Sequence, residues 1–484
     1  MTTIKLDPGA ALLLDALHGV GHAAYAVGGC VRDSLLGLDP HDWDLCTSAR
    51  PEQVMALFGE EKCIPTGLQH GTVTVKQGGR LYETTTFRTE GAYSDGRHPD
   101  AVCFVPDVRE DLARRDFTIN AMAYSAEEGL IDPFGGQDDL AAHLVRAVGE
   151  PERRFEEDAL RILRLYRFAA RFGFAIDPAT GAAARALGPH LDCVSAERIQ
   201  EELLKLLAAP RPGSYLEPAV LAVVLPELEP EKQPERFAEL CRTIDRIEPT
   251  AENVPTRLAA LLCPLGEAGA RKALRKLKCS NALTDEVTAL EREAGGGAGS
   301  FLLPRSRDRW AGSSSEDRPL GWDPAAAGSR AGDGMACNSN DRRQWRMQEV
   351  AVGAAASDTQ AMRSGCWEPQ PELVSDQTLM AKRLLGRYEL PTIQRLTALC
   401  SARHPEQAGA FAALQAEAEQ LTAENACCRV SQLAVNGRDL MAAGVRPGPG
   451  LRQVLNALLE AVITGQTPNE KDALLAAAAQ FSAS

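Results

Sequence analysis

Two acidic residues separated by one position are the first candidates for chemistry. Asp42 and Asp44 flank Trp43 in the stretch HDWDL. Side chains alternate across an extended strand, so the two carboxylates would lie on the same side. Mg²⁺ favours a few carboxylates together with substrate phosphates, so the pattern suits a nucleotide-dependent phosphoryl transfer. Taken alone, the same spacing is also common in solvated loops.

A glycine pair lies upstream of the two acids. Gly28 and Gly29 end an apolar run and precede CVRDSLLG, which predicts a helix. Backbone N–H groups at such a turn can face an anion, and Arg32 adds a bidentate phosphate donor. A glycine pair by itself more often means only a tight turn between strand and helix.

Two further segments offer polar side chains to the same chemistry. Glu83, in LYETTTFR, either brings a third carboxylate to the metal or faces solvent from a strand. In RRDFTINAMAY, Arg114 and Arg115 suit the neutralisation of a triphosphate. Asp116 suits the orientation of an arginine or a ribose, with Asn120 one helical turn later. The alternative for this second segment is an exposed capping cluster.

The segment EEDALRILRLYRFAARF carries charged residues at three- and four-residue spacing. In a helix this spacing lines them along one polar, cationic face, while leucines and phenylalanines point to a core. An ordinary solvated helix face is the alternative. The residues of the row are Asp158, Arg161, Arg164, Arg167 and Arg171.

Elements of two kinds must position these side chains. Residues 1 to about 145 mix helical periods with β-rich runs, and Gly71 to Phe87 has the alternation and Gly-Gly turn of a hairpin. The N-terminal stretch predicts a first helix and no secretion signal. From about residue 146 the strand signals fade and helical periods dominate. An α/β region followed by a helical remainder is therefore predicted.

Residues from about 295 to 369 differ in kind. Four of the five tryptophans lie there, and no lysine occurs between Lys278 and Lys382. Neither helical nor strand periodicity is present, and structureless stretches of this length are uncommon inside compact domains. Disorder or poor packing is one explanation, and out-of-frame translation of a normally helical segment is another. Helical periodicity resumes at about residue 371.

Composition narrows the class of protein. A chain of 484 residues with 44% hydrophobic and 24% charged residues is typical of a globular protein of several domains. No apolar run is long enough to span a membrane. Thirteen cysteines without CxxC pairs suit a reducing compartment, so we expect the cytosol and no zinc site. The net charge of −14 argues against broad nonspecific binding of nucleic acid, although a local basic surface can coexist with it.

Together these segments resemble the class II CCA-adding enzymes, which are tRNA nucleotidyltransferases of the DNA polymerase β-like superfamily. The resemblance covers about residues 20 to 285, in the family's order, and LAVNGRDLMAAGVRPGPG resembles the family's C-terminal tRNA-contacting region. The motifs that carry it are GGCVRD, HDWDL, HGTVTV with ETTTFR, RRDFTINAMA, DPFGGQDDL, RRFEEDALRILRLYRFAARFGF and AERIQEELLKLL.

This resemblance implies an α+β fold, with a polymerase β-like nucleotidyltransferase head built on a small mixed sheet and an all-α neck, body and tail. The expected parts are the head at 1–145, the neck with the base template at 146–210, the body at 211–294, an irregular segment at 295–370 and the tail at 371–484. The residues that match the family's functional positions are Asp42 and Asp44 for Mg²⁺, Gly29, Arg32 and Arg115 for the nucleotide and its triphosphate, Asp158 and Arg161 for the base template, and Arg164 and Arg167 for further nucleotide contacts.

The template role also makes chemical sense. Cytosine and adenine both present an amino donor beside a ring-nitrogen acceptor, so one carboxylate and one guanidinium can satisfy either base. Uracil and guanine reverse that polarity and would leave groups unpaired, at about 1–3 kcal/mol for each group. The expected reaction is an in-line attack of the tRNA 3′-hydroxyl on the α-phosphate of CTP or ATP, assisted by two metal ions.

Other activities share some of these motifs. A bacterial poly(A) polymerase shares the head and neck motifs, but the C-terminal resemblance and the lack of a basic tail argue against it. An enzyme that adds only CC or only A is disfavoured by the segment Thr89 to Phe104, which resembles the flexible loop of full CCA addition. An inactive RNA-binding homologue is a further alternative. A phosphohydrolase, suggested by His41 beside Asp42, lacks a second histidine cluster.

Overall fold

The structure is a computed structural model that describes residues 3–91, 102–295 and 375–481. All three ranges belong to one contact-dense unit, Met1–Leu303 with Val374–Ser484. The predictions for the tip of the loop between Thr89 and Phe104, and for nearly all of the segment 295–370, fall outside the described residues. The boundaries drawn at 145 and 210 stay predictions.

Eleven strands are present in the described residues, and nine of them lie before residue 132. They are β1 Ala24–Val27, β2 Leu45–Thr47, β3 Cys63–Gly67, β4 Thr72–Gln77, β5 Arg80–Thr86, β6 Arg88–Glu90, β7 Val102–Phe104, β8 Ala123–Ser125, β9 Gly129–Ile131, β10 Leu144–Val145 and β11 Ala175–Ile176.

Seven of these strands form one mixed sheet in the order β3-β4-β5-β2-β1-β8-β9. Only the central pair β2 and β5 is parallel, and it sets Leu45 opposite Thr84. The predicted hairpin is confirmed as β4 and β5, joined by Gly78 and Gly79, both with positive φ as the turn requires. Strands β6 and β7 form a separate antiparallel ribbon.

Helices make up most of the described chain after residue 150, which confirms the predicted α+β class. They are α1 Pro8–Gly19, α2 Gly29–Leu35, α3 Pro51–Phe58, α4 Val108–Ala113, α5 Gly136–Ala141, α6 Pro151–Glu157, α7 Leu160–Phe172, α8 Pro178–Ala186, α9 Ala196–Leu207, α10 Pro218–Val224, α11 Pro234–Arg246, α12 Val254–Leu262, α13 Gly266–Lys276, α14 Asn281–Ala294, α15 Asp376–Arg387, α16 Leu390–Arg403, α17 Ala408–Ala423, α18 Gly437–Ala442, α19 Pro449–Ile463 and α20 Lys471–Phe481.

Helix α7 links the sheet to the helical part. One apolar cluster runs from α1 and the sheet through α7 and α9 to α17, and a second joins α18, α19 and α20. Arg257 is fully buried and donates to the carbonyls of Leu207 and Ile247, which joins the end of α9 to α12. Packing therefore fixes α7 and α9, and so positions the polar side chains that these helices carry.

Candidate active site

The two acids of HDWDL lie just before β2, and their side chains are on the opposite side of the chain from the residue between them. Asp42 and Asp44 are exposed, whereas Trp43 between them is buried in the core. The backbone carbonyl of Asp44 accepts a hydrogen bond from Val27 N at 3.0 Å, so the acids stand next to the end of β1. The tryptophan anchors the segment and both carboxylates emerge on one side.

Glu83 joins this acidic face. Because Leu45 pairs with Thr84, Glu83 lies beside Asp44 on the neighbouring parallel strand, and it is also exposed. Partial desolvation of the carboxyl and the negative charges of Glu83 and Asp42 raise the pKa of Asp44 to about 6, against the opposing charge of Arg115. The three carboxylates thus repel one another, and a bound cation would offset this repulsion.

The donor set fits a hard divalent cation that shares its coordination with a substrate. In the described ranges no three His, Cys, Asp or Glu side chains converge into a ready-made metal site. Mg²⁺ is usually bound by one or two carboxylates plus phosphate oxygens, and not by an all-protein cage. An open pair such as Asp42 and Asp44 matches that requirement.

The glycine pair forms a turn with a guanidinium on each side. Gly28 has φ +76° and ψ −120°, and α2 begins at Gly29. A β-carbon on Gly28 would lie 2.7 Å from Arg115 Nη1, and one on Gly29 would lie 3.6 Å from Arg32 Nη2. The turn thus combines a helix N-terminus with two cations, an arrangement that suits a phosphate group.

Arg32, which the sequence predicts as a bidentate phosphate donor, is buried in the structure. It is 3% exposed and donates to Asp33 and to Asn120 Oδ1. Its guanidinium carbon also lies 4.8 Å from the ring centre of Phe172 and 5.3 Å from that of Phe168. The edge of the guanidinium beside Gly29 is Nη2, which forms an ion pair with Asp33 at 2.7 Å.

Asp116 and Asn120 form the centre of a buried polar network. Asp116 accepts hydrogen bonds from Asn120 Nδ2 at 3.0 Å and from Arg164 Nε and Nη2 at 2.9 and 2.6 Å. Burial alone would raise the pKa of Asp116, but the charge of Arg164 and these hydrogen bonds hold the pKa below its usual range. The prediction that Asp116 orients an arginine matches this contact, whereas the alternative of an exposed capping cluster does not.

The predicted helix of charged residues is interrupted at its first member. Asp158 is extended, with φ −145° and ψ 102°, between the end of α6 and the start of α7. Its carboxylate accepts from Leu160 N at 3.1 Å and from Arg198 Nη2 at 2.8 Å. A polar side chain that bonds the backbone two residues later favours such a break over a continuous helix.

Arg161 is not paired with Asp158 in this structure. Its guanidinium donates to Glu157 Oε2 at 2.7 Å and to the carbonyls of Arg154 and Arg114 at 3.1 and 3.0 Å. It is 9% exposed. The two residues of the predicted template thus lie at the junction of α6, α7 and the α4 end, each held by a partner of its own.

Sequence reasoning missed three residues of this region. Glu202 on α9 accepts from Arg167 Nε at 2.5 Å, and its side chain is 6% exposed. Arg198 lies four residues earlier on the same helix and binds Asp158. Asp111 is buried beneath Arg114 and Arg115. The i, i+4 spacing of Arg198 and Glu202 was the available signal, since it places both on one face of AERIQEELLKLL.

Three family models match parts of the chain. "Poly A polymerase head domain" matches residues 24–146, which contain the acids, the glycine turn and Arg115. "Probable RNA and SrmB- binding site of polymerase A" matches residues 173–231. A model of tRNA nucleotidyltransferase domain 2 matches residues 385–478.

Curated relatives extend the match to nearly the whole chain. The CCA-adding enzyme of Limosilactobacillus fermentum is 33% identical over 478 residues, which are 97% of this chain and 96% of that one. The chain belongs to the CCA-adding enzyme family. The family member of Geobacillus stearothermophilus is 42% identical over 281 residues, which are 57% of this chain and 68% of that one.

Solved structures of the family share the fold. The Bacillus stearothermophilus CCA-adding enzyme in complex with CTP superposes with a TM-score of 0.69 at 29% identity, with 98% of each chain covered. The Thermotoga maritima CCA-adding enzyme complexed with tRNA_CCA gives a TM-score of 0.60 at 19% identity, also over 98% of this chain, and supports the fold alone.

Membership of the CCA-adding enzyme family makes the chain a nucleotidyltransferase, and divalent metal ions generally serve this family. The structure brings the glycine turn, the acids and Arg115 to one place, with Asp158 and Arg161 at the adjoining α6–α7 junction. Within the described ranges no helix is long and apolar enough to cross a membrane.

Proposed function

We propose that this chain adds C, C and A to the 3′ end of tRNA, using CTP and ATP without a nucleic-acid template and releasing pyrophosphate. The observation that carries the proposal is the pair of exposed acids next to a glycine turn flanked by Arg32 and Arg115. The relative from Limosilactobacillus fermentum, similar over 97% of the chain, bears the name of this activity.

The residues of the chain divide the work. Asp42 and Asp44 would hold Mg²⁺, with Glu83 adding negative charge beside them. When bound, Mg²⁺ neutralises phosphate charge and lowers the pKa of the attacking 3′-hydroxyl. Arg115 and the Gly28 turn would bind the triphosphate in a fixed orientation, which aligns the α-phosphate for in-line attack.

Base selection is assigned to Asp158 and Arg161. The Asp158 carboxylate accepts from the amino group of cytosine or adenine, and the Arg161 guanidinium donates to the adjacent ring nitrogen. In the structure these two groups are held by Arg198 and Glu157. These partners limit the rotamers that each side chain can adopt, which favours selection by fixed geometry.

Incubation with tRNA that lacks its CCA end, together with each labelled nucleotide, tests the activity. Incorporation of two C and then one A supports the proposal. Long A tracts would identify a poly(A) polymerase, a single base type a partial enzyme, and binding without incorporation an inactive homologue.

The template is tested by Asp158→Ala, with Glu156→Ala on the exposed side of α6 as control. We expect Asp158→Ala to admit UTP and GTP, narrowing the ratio of kcat/KM between CTP and UTP by about 10- to 100-fold. The control should keep the native ratio. If Asp158→Ala stays active and still rejects UTP and GTP, the template assignment fails.

A further inference from the structure

Asp111 is a fully buried acid between the candidate nucleotide site and the β6–β7 ribbon. Its side chain is 1% exposed on α4. The Oδ1 atom accepts from Arg114 Nε and Nη2 at 3.0 and 2.9 Å and from the backbone N–H of Arg88 at 3.3 Å. The Oδ2 atom accepts from Arg115 Nη2 at 3.5 Å. One carboxylate thus gathers donors from three positions in the chain.

The two arginines have different relations to this acid. Arg114 makes a two-nitrogen contact to Oδ1 and so supplies the counter-charge that a buried carboxylate needs. Arg115 reaches Oδ2 with one nitrogen over a longer distance. The Nη1 atom of Arg115, which faces Gly28, is therefore available to a ligand.

The position of Arg115 is constrained at its other end. Its Nη1 lies so close to Gly28 that a β-carbon there would be 2.7 Å away. Its Nε is buried and has no hydrogen-bond partner in the described residues. Asp111 is accordingly the acceptor that draws the Arg115 guanidinium into place, because attraction between opposite charges is strong in a poorly solvated setting.

The same acid fixes the start of the ribbon. Arg88 N–H donates to Asp111, and the Arg88 side chain donates to the carbonyl of His70. Phe104, which pairs with Arg88 at the same end of the ribbon, has its ring against Gly71 and beneath the guanidinium of Arg50. Asp111 therefore joins the base of the ribbon to the glycine turn through Arg115.

We propose that Asp111 is a positioning residue that fixes Arg115 against the Gly28 turn and thereby sets the affinity of the site for a nucleoside triphosphate. The proposal rests on the proposed function in one respect, that this turn receives the triphosphate. Asp111 itself touches no ligand. A purely structural role would require only that its charge be neutralised within α4.

The test is the binding of CTP with Mg²⁺ to the full chain in the absence of tRNA, measured by calorimetry. Asp111→Asn keeps the size of the side chain but loses the charge that attracts Arg115, and we expect the Kd for CTP to rise about tenfold. Asp107→Asn is the matched control, because Asp107 caps the same helix from an exposed position and asparagine caps equally well. Its Kd should stay within twofold of the native value.

Two further variants separate positioning from structure. In an Arg115→Met background, Asp111→Asn should change the Kd little, because the residue through which it acts is gone. Asp111→Glu keeps the charge but displaces the carboxylate, so its Kd should also rise. An Asp111→Glu protein with native affinity, or an equal effect of Asp111→Asn in both backgrounds, would overturn the proposal.

The outcome is distinguishable from that of the proposed function. A native protein that binds CTP but extends no tRNA refutes the function, and the Kd comparison still decides the role of Asp111. A native protein that binds no CTP refutes both.

Discussion

A methyl group added to Gly28 tests the candidate nucleotide site at one atom. Gly28 adopts φ +76° and ψ −120°, a conformation that costs other residues about 1–3 kcal/mol. The added carbon would also lie 2.7 Å from Arg115 Nη1, so the guanidinium has to retreat by roughly 1 Å to reach ordinary contact. Gly28→Ala should therefore lower both stability and nucleotide affinity.

Gly37→Ala is the matched control for the backbone strain. Gly37 lies just beyond the other end of α2 with φ +71°, and nothing stands within 4 Å of a β-carbon built there. The control should lose about 1–2 kcal/mol of unfolding free energy through strain alone. It leaves Arg115 undisturbed.

The expected difference between the two variants is kinetic. If Arg115 binds phosphate as proposed, its displacement removes a charge-assisted hydrogen bond worth about 1.5–3 kcal/mol, or roughly 10- to 150-fold in affinity. Single-nucleotide incorporation into tRNA lacking CCA should show that rise in KM for CTP with Gly28→Ala and a native KM with Gly37→Ala. Equal KM values in the two variants, with both proteins folded, would refute the reasoning.

Two further changes probe buried acids. Glu202→Gln should lower the unfolding free energy by about 2–4 kcal/mol, because it leaves the buried guanidinium of Arg167 without a counter-charge. The control Glu201→Gln, at an exposed position, should lower it by less than about 0.5 kcal/mol. Equal losses for the two variants in urea unfolding would contradict this prediction. Desolvation raises the pKa of Glu291 to about 7 against the opposing charge of Arg403. Ionisation of this buried carboxyl therefore destabilises the folded protein. This cost is absent below pH 4.5, grows as the pH rises and is complete above about 7. Glu291→Gln should thus stabilise the protein by about 3 kcal/mol more at pH 8 than at pH 4.5. A difference in thermal unfolding between variant and native protein that does not change with pH would contradict this prediction.

Local patterns in the sequence predicted the local features of the site. The alternation of HDWDL predicted that Asp42 and Asp44 lie on the same side, and the glycine pair predicted the turn into α2. The hairpin of β4 and β5 followed from its own residues. These features depend on neighbours within a few positions, which the sequence states directly.

Patterns at longer range were less informative about the charged residues of α7. Helical spacing predicted a row of charged residues that began with Asp158. In the structure the Asp158 carboxylate accepts a hydrogen bond from the backbone of Leu160, and Asp158 lies outside α7. Spacing also placed Arg161 on the same polar face as Asp158, but it did not indicate that Glu157 and two carbonyls hold the Arg161 guanidinium. Several acceptors compete for each guanidinium, and the periodicity of a helix does not rank them.

The sequence by itself determined the family, the α+β class and the identity of the acids, the glycines and the arginines. Only the tertiary structure decided which acidic side chain each arginine binds, because the partners lie far apart in the chain. Arg164 meets Asp116 across 48 positions, and Arg171 meets Asp33 across 138. Such pairs form when packing removes water from both groups, so their choice depends on the whole fold and not on the spacing of either residue.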